Sequence, residues 1–202
     1  MPISTDLMIV GVDYGSKMAG TTVLCYTRER QIRFLQSAKK RDADIFLLEN
    51  FDELHPDLIY LDAPLSLPRG FFEKERAEYF YRQCDKEVGA MSPMFLGGLT
   101  ARAIKLRDSL PRYTFYEAYP GGLARELGIN KEQYKKTVNY IPQVSKAILT
   151  YLNEALGEVF IFESIPKNWH QVDALLALTV GFRHAKGLSL CYGDEKEGVI
   201  YI

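Results

Sequence analysis

Cysteine, unbalanced charge and long hydrophobic runs are all scarce in this sequence, and each scarcity closes off a class of protein. The three cysteines, Cys25, Cys84 and Cys191, are widely separated and odd in number. That excludes a closed disulfide framework and the paired spacing of a zinc site. Reduced thiols and a cytoplasmic setting are the expectation. Lys and Arg number 25 against 26 Asp and Glu, for a net charge of -1. Coating nucleic acid by bulk electrostatics is thereby excluded, although a local basic groove is not. No apolar run has the length of a membrane span, and MPISTDLMIVGV carries no basic segment ahead of its short apolar stretch. Neither a signal peptide nor a membrane partner is expected. Internal repeats and low-complexity linkers are also missing.

What is present suits a single domain over 1–202. Hydrophobic residues make up 47% of the chain, enough for a sizeable core. LMIVGV, TTVLCYT and IRFLQSA read as three strands, and their short connections predict an antiparallel meander. A helix through Ile45, Leu48 and Phe51 ends at His55-Pro56. DLIYLD reads as a fourth strand, stopped by Pro64. From Phe71 to Val88 the chain is long, charged and amphipathic, followed by the loop GAMSPMFLGG and a helix from about Thr100 to Leu110. YTFYEAYPGG supplies a fifth strand and a turn. Residues 122–157 read as helical pieces interrupted at Pro142. A last helix starts near Asn168, where Gln171 completes a capping box, and LSLCYGDEKEGVIYI reads as a terminal hairpin. The order predicts one mixed α/β sheet flanked by helices.

Acids stand where the apolar strands run out: Asp13 after LMIVGV, Asp62 after LIYL and Glu117 after YTFY. Asp173 lies near the start of the last helix. Ligands gather outside the carboxyl ends of such strands. Two unit charges ~4 Å apart repel by roughly 4 kcal/mol at an effective dielectric of about 20, so converging acids require a cation or retained protons. Bland readings stand beside this one. Asp13 could cap the turn that Gly15 and Gly20 make, Glu117 could pair with Arg112 or Arg125, and an acid in a helix's first turn is stabilised by the helix dipole. His170 shares a helical face with Asp173 and could ligate a metal, accept a proton or bond nearby backbone. Lys17 could orient a phosphate. Among Arg69, Arg76, Arg82, Arg102, Lys105, Lys135, Lys136 and Lys146, the candidates for binding a polyanionic substrate are Arg82 and Arg102, which flank the glycine-rich loop. The rings of Phe71, Phe72, Tyr79, Phe80 and Tyr81 read first as core packing and second as a base-stacking surface.

DYGSKMAG after a first strand, an acid ending the fourth strand and HxxDA opening a late helix together resemble the ribonuclease-H-like superfamily. DYGSKMAG and HQVDALLAL are similar to motifs of Holliday-junction resolvases. With IYLDAPLSLP, RQCDKEVGA and FYEAYPGG, the chain most resembles a predicted-nuclease family known as domain of unknown function 429. The resemblance spans residues 7–187 and implies a five-stranded sheet of order 3-2-1-4-5 with a helical insertion at about 70–110. It also implies a nuclease that binds two divalent ions, Mg2+ or Mn2+. Asp13, Asp62 and Asp173 match its core acids, Glu117 matches the acid of its EAYP-like segment, and His170 stands in its HxxDA motif. Resolvases carry Glu at the fourth-strand position. Asp62 is one methylene shorter, which leaves open whether Asp62 or Glu117 provides the second ligand.

The leading expectation is a metal-dependent phosphodiesterase acting on DNA or RNA, with a homodimer left open. The alternatives are a non-catalytic nucleic-acid-binding or scaffold protein and, ranked last, a phosphotransferase of the sugar-kinase and actin type. The last needs two lobes, and the sequence shows no repeat.

Overall fold

A computed structural model describes residues 7–73, 75 and 78–202. Strands β1 (Ile9–Asp13), β2 (Val23–Arg28) and β3 (Gln31–Gln36) form the expected antiparallel meander. Helix α1 (Ala43–Leu54) returns the chain to β4 (Leu58–Asp62), which pairs parallel with β1. Helices α2 (Gln83–Val88), α3 (Pro93–Leu96) and α4 (Gly98–Asp108) precede β5 (Thr114–Ala118), parallel to β4. Helices α5 (Pro120–Glu126) and α6 (Ile141–Leu156), the short β6 (Ile161–Phe162) and helix α7 (Trp169–Ala185) follow. The chain closes on β7 (Cys191–Asp194) and β8 (Gly198–Tyr201). The sheet order is β6-β3-β2-β1-β4-β5-β8-β7, so the expected 3-2-1-4-5 run stands unbroken within a wider mixed sheet. The terminal hairpin extends that sheet, because β8 pairs parallel with β5.

Every residue of β1 is buried, as expected of a central strand covered on both faces. Alternation then sorts the side chains. Val10 and Val12 face one core with Leu47, Phe51, Leu61 and Leu106. Ile9 and Tyr60 face the other, built largely on α7 with Val172, Leu175 and Leu176. Helix α7 is apolar nearly all round, as a helix enclosed by its neighbours must be. It lies directly on β1: a Cβ added at Gly11 would stand 2.1 Å from the Leu178 nitrogen and 2.4 Å from the Ala174 oxygen. That close approach places the first turns of α7 over the carboxyl ends of β1 and β4.

Among its described residues, little of the amphipathic stretch 71–88 is helix. Arg69–Phe71 makes a single 3-10 turn, and regular helix begins only at Gln83. Backbone donors here go to side chains instead. Glu78 accepts from the Phe80 and Tyr81 amides, and Glu197 accepts from the Arg69 and Gln83 amides. Pro142 sits in the first turn of α6, where a missing N–H costs nothing, so it begins a helix rather than interrupting one.

Candidate metal centre

Asp13 and Asp62 are the last partners in the β1–β4 register. Asp13 falls in phase with Ile9 and Gly11, and Asp62 with Leu58 and Tyr60, so both carboxylates are directed to the face that α7 covers. The Asn168 side chain accepts from the Gln171 amide and starts α7, one turn ahead of Asp173. Single ligand oxygens of Asp13, Asp62 and Asp173 all lie within 4.8 Å of one another. Asp13 is 9% exposed and Asp173 2%. Asp62 is half-buried, and no hydrogen bond reaches its carboxylate among the described residues.

Such a group resists full ionisation. Burial, then the charges of Asp13 and Asp173, push the Asp62 carboxyl well above the usual carboxylate range. Burial also raises Asp173, against the opposing pull of Lys135. His170 Nδ1 stands 2.7 Å from Asp13 Oδ2. This contact chiefly raises the His170 pKa. Lys135 Nζ lies 2.7 Å from Asp173 Oδ2, and the Tyr134 hydroxyl donates to Asp173 Oδ1 at 2.5 Å.

Beside the acids lies a cavity of about 320 Å³, lined by Asp13, Asp62, Glu117 and Lys135 and walled by Met91, Leu96 and Leu99. Arg102 secures its rim. The guanidinium bonds Asp44 Oδ1 at 2.6 Å and the Gly15 carbonyl at 3.1 Å, and it stacks on the Tyr14 ring. Tyr14 in turn donates to Asp44 at 2.5 Å. Arg102 therefore holds the chain that leaves β1.

The expected acids and bases separate on this geometry. Glu117 pairs in register with Leu61, not Asp62, and lies in phase with Phe115. Its carboxylate is therefore directed to the sheet face opposite the three aspartates. Arg82 binds both of its oxygens, at 2.6 and 2.7 Å, and the Leu65 amide adds a third bond at 2.9 Å. Glu117 is thus paired with Arg82 rather than Arg112 or Arg125, while it borders the same cavity as Asp13 and Asp62. Arg82 is 0% exposed and also grips Asp85 and Ser66. It has no free donor face for a polyanion, which corrects the substrate-binding expectation. Lys17 pairs with Asp42 at 3.0 Å, at the start of α1, rather than with the acids. Arg69 pairs with Asp194 and Lys136 with Glu132, while Arg76 lies outside the described residues. Phe71, Phe72, Tyr79 and Phe80 are exposed, so the first reading of these rings as core packing does not hold.

Of the surrounding groups, Lys135 was visible in the sequence only as one basic residue among several. Tyr134 carried no signal at all, because it sits in the polar run NKEQYKKT with no periodicity to direct it inward.

A cation fits this centre. The donors are all carboxylate oxygens, the set that magnesium and manganese prefer, and an ammonium already sits against one of them. Ligand oxygens about an octahedral magnesium ion stand about 3 Å apart when adjacent and about 4.2 Å when opposite, a range that three oxygens within 4.8 Å of one another approach.

No family model matches the chain, and no curated protein matches it. Among solved structures, Thermus thermophilus RuvC aligns over 90% of this chain and 98% of its own, with 15% identity and a TM-score of 0.46.

Proposed function

We propose that this chain is a divalent-metal-dependent nuclease of the ribonuclease-H-like type, one domain over 1–202 in which Asp13, Asp62 and Asp173 hold the metal. The observation that carries the proposal is the convergence of three aspartates from two adjacent parallel strands and a facing helix. Asp62 has no donor among the described residues, and Lys135 alone brings a fixed positive charge. The unbroken 3-2-1-4-5 run of strands supports the same reading, since it is the order that the resemblance of DYGSKMAG and HQVDALLAL implies.

Bound there, Mg2+ or Mn2+ supplies Lewis acidity that activates water and stabilises the leaving oxygen of an in-line displacement. The protein's own groups do the rest. Asp13 and Asp62 are held in register by the β1–β4 ladder, so their spacing is fixed before any ligand arrives. His170 steadies Asp13 through Nδ1 and leaves Nε2 to hold or release a proton. Arg102 and Tyr14 fix the turn after β1, and Met91, Leu96 and Leu99 limit water on the far wall.

Testing this requires the purified chain, labelled single-stranded, duplex and branched DNA and RNA, and added Mn2+ or Mg2+. Cleavage of at least one substrate, abolished by chelator and reduced by about 10³-fold or more in Asp13→Asn, is the expected result. Circular dichroism should show that variant folded. No cleavage of any substrate in either metal would remove the nuclease reading. A second reading, a binding protein that keeps the fold without catalysis, is favoured by the ammonium lodged on Asp173. Metal-independent binding of nucleic acid without turnover would support it.

A further inference from the structure

Two side chains reach Asp173 that the proposed chemistry does not use. Lys135 occupies Oδ2 and Tyr134 occupies Oδ1, so both oxygens of the carboxylate are engaged by one short segment. That segment, between α5 and α6, is built of turns rather than helix or strand. Lys135 holds a backbone φ of 61°, in the left-handed region that side chains other than glycine rarely adopt. Conformations of this kind persist where the surroundings over-determine them. Here the determinant is the acid group itself, since Asp62 and Asp13 act on the ammonium along with Asp173.

The two partners differ in their freedom to leave. Asp173 is fixed on α7 with its side chain 3% exposed, whereas the Lys135 side chain is 51% exposed on a flexible stem. A divalent ion among the three aspartates would be a like-charged neighbour to the ammonium and the stronger competitor for the same oxygens.

We propose that Lys135 is an internal stand-in cation. Its ammonium neutralises Asp173 in the metal-free protein, and a divalent ion entering among Asp13, Asp62 and Asp173 displaces it, carrying the Tyr134–Lys135 segment away from α7. The inference rests on the metal site proposed above and adds a built-in coupling between metal binding and the segment that borders the cavity. The coupling has a native reporter. Tyr134 stands edge-on to Trp169, with ring centroids 5.6 Å apart, and Trp169 is the chain's one tryptophan.

The experiment titrates the full chain with magnesium chloride while recording binding heat and Trp169 emission. In the wild-type chain, emission is expected to change with the same midpoint as the heat. Lys135→Met is expected to bind magnesium about tenfold more tightly, the scale of removing one partly screened competing charge, while Lys135→Arg stays near the wild-type affinity. Binding heat with flat emission, or wild-type or weaker affinity in Lys135→Met, would overturn the stand-in role and leave the metal site intact. Absence of heat in the wild-type chain, with Asp13→Asn equally silent, would sink the metal site and this inference together.

Discussion

Among single residues, the three aspartates carry a conflict between stability and site. The carboxyls of Asp62 and Asp173 are raised by burial and by their acidic neighbours, and His170 is raised by its bond to Asp13. The signs agree. A raised carboxyl keeps its proton in the folded state after the unfolded chain has lost it, so stability falls as pH climbs from about 4 toward the folded value. The His170 contribution is complete below about 6.5 and is lost as pH rises through its higher folded value. In chelator, the melting temperature should therefore decline from pH 6 to pH 8, and His170→Gln should flatten that decline. A slope unchanged in the variant would show that the His170–Asp13 bond is not the source. Asp62→Asn should melt higher than wild type in chelator and lose its response to magnesium, since it removes a carboxylate without a donor. Asp13 was readable as a residue because it closes an apolar run, and Asp173 because it stands at the start of one. The face each takes was not readable until the register was known, which is why Glu117 looked equivalent to Asp62. One residue of offset between β4 and β5 sends it to the other side of the sheet.

Among elements, local signals found β1, β4 and α7, and distant ones decided the rest. Central strands announce themselves as unbroken apolar runs, and α7 carries both its asparagine cap and its enclosed face. The 69–83 segment carries no comparable local signal. The amides at its two ends, Arg69 and Gln83, are satisfied by Glu197, more than a hundred residues away in sequence, and Arg69 pairs with Asp194 on the same hairpin. The terminal hairpin thus clamps both ends of the loop, and Arg82, Asp85 and Glu117 form the buried ion network beneath it. Glu197→Ala should increase proteolysis within 69–83 and lower stability by about 1–3 kcal/mol, the cost of leaving buried donors unmet. Limited digestion and urea unfolding would measure both. Arg82→Met should cost more, about 3–5 kcal/mol, because Glu117 and Asp85 would remain buried without their partner. Converting Glu117 to Gln in that background should recover part of the loss. If it recovers nothing, the network contributes by packing rather than by charge.

For the molecule as a whole, the distribution of charge constrains how nucleic acid could be held. The net charge is -1, and several candidate cations are already committed: Lys17 to Asp42, Arg69 to Asp194, Arg102 to Asp44 and Arg107 to Asp108, with Arg82 inaccessible. Apolar side chains lie open beside cations that stay exposed, Lys39, Lys40, Lys105 and Lys146 among them. Phe71, Phe72, Phe80, Met91 and Phe95 are exposed, and Met91 also lines the acid cavity. With no net positive charge to draw a strand onto one broad face, the chain is expected to neutralise few phosphates. Each phosphate contact adds roughly 0.7 to 0.9 to the salt slope, so a bound strand should lose affinity with a slope no steeper than about -3 on the log–log plot. Fluorescence anisotropy with labelled oligonucleotides measures this, with calcium replacing magnesium to hold the acids without turnover. The same titration in Phe95→Ala separates the two contributions, because a stacking ring changes affinity by roughly 1–3 kcal/mol while leaving the slope alone. A slope near -8 would demand a basic face that these ion pairs open to form. In that case binding would have to break Arg102–Asp44 and loosen the turn behind Asp13, tying substrate capture directly to the geometry of the acids.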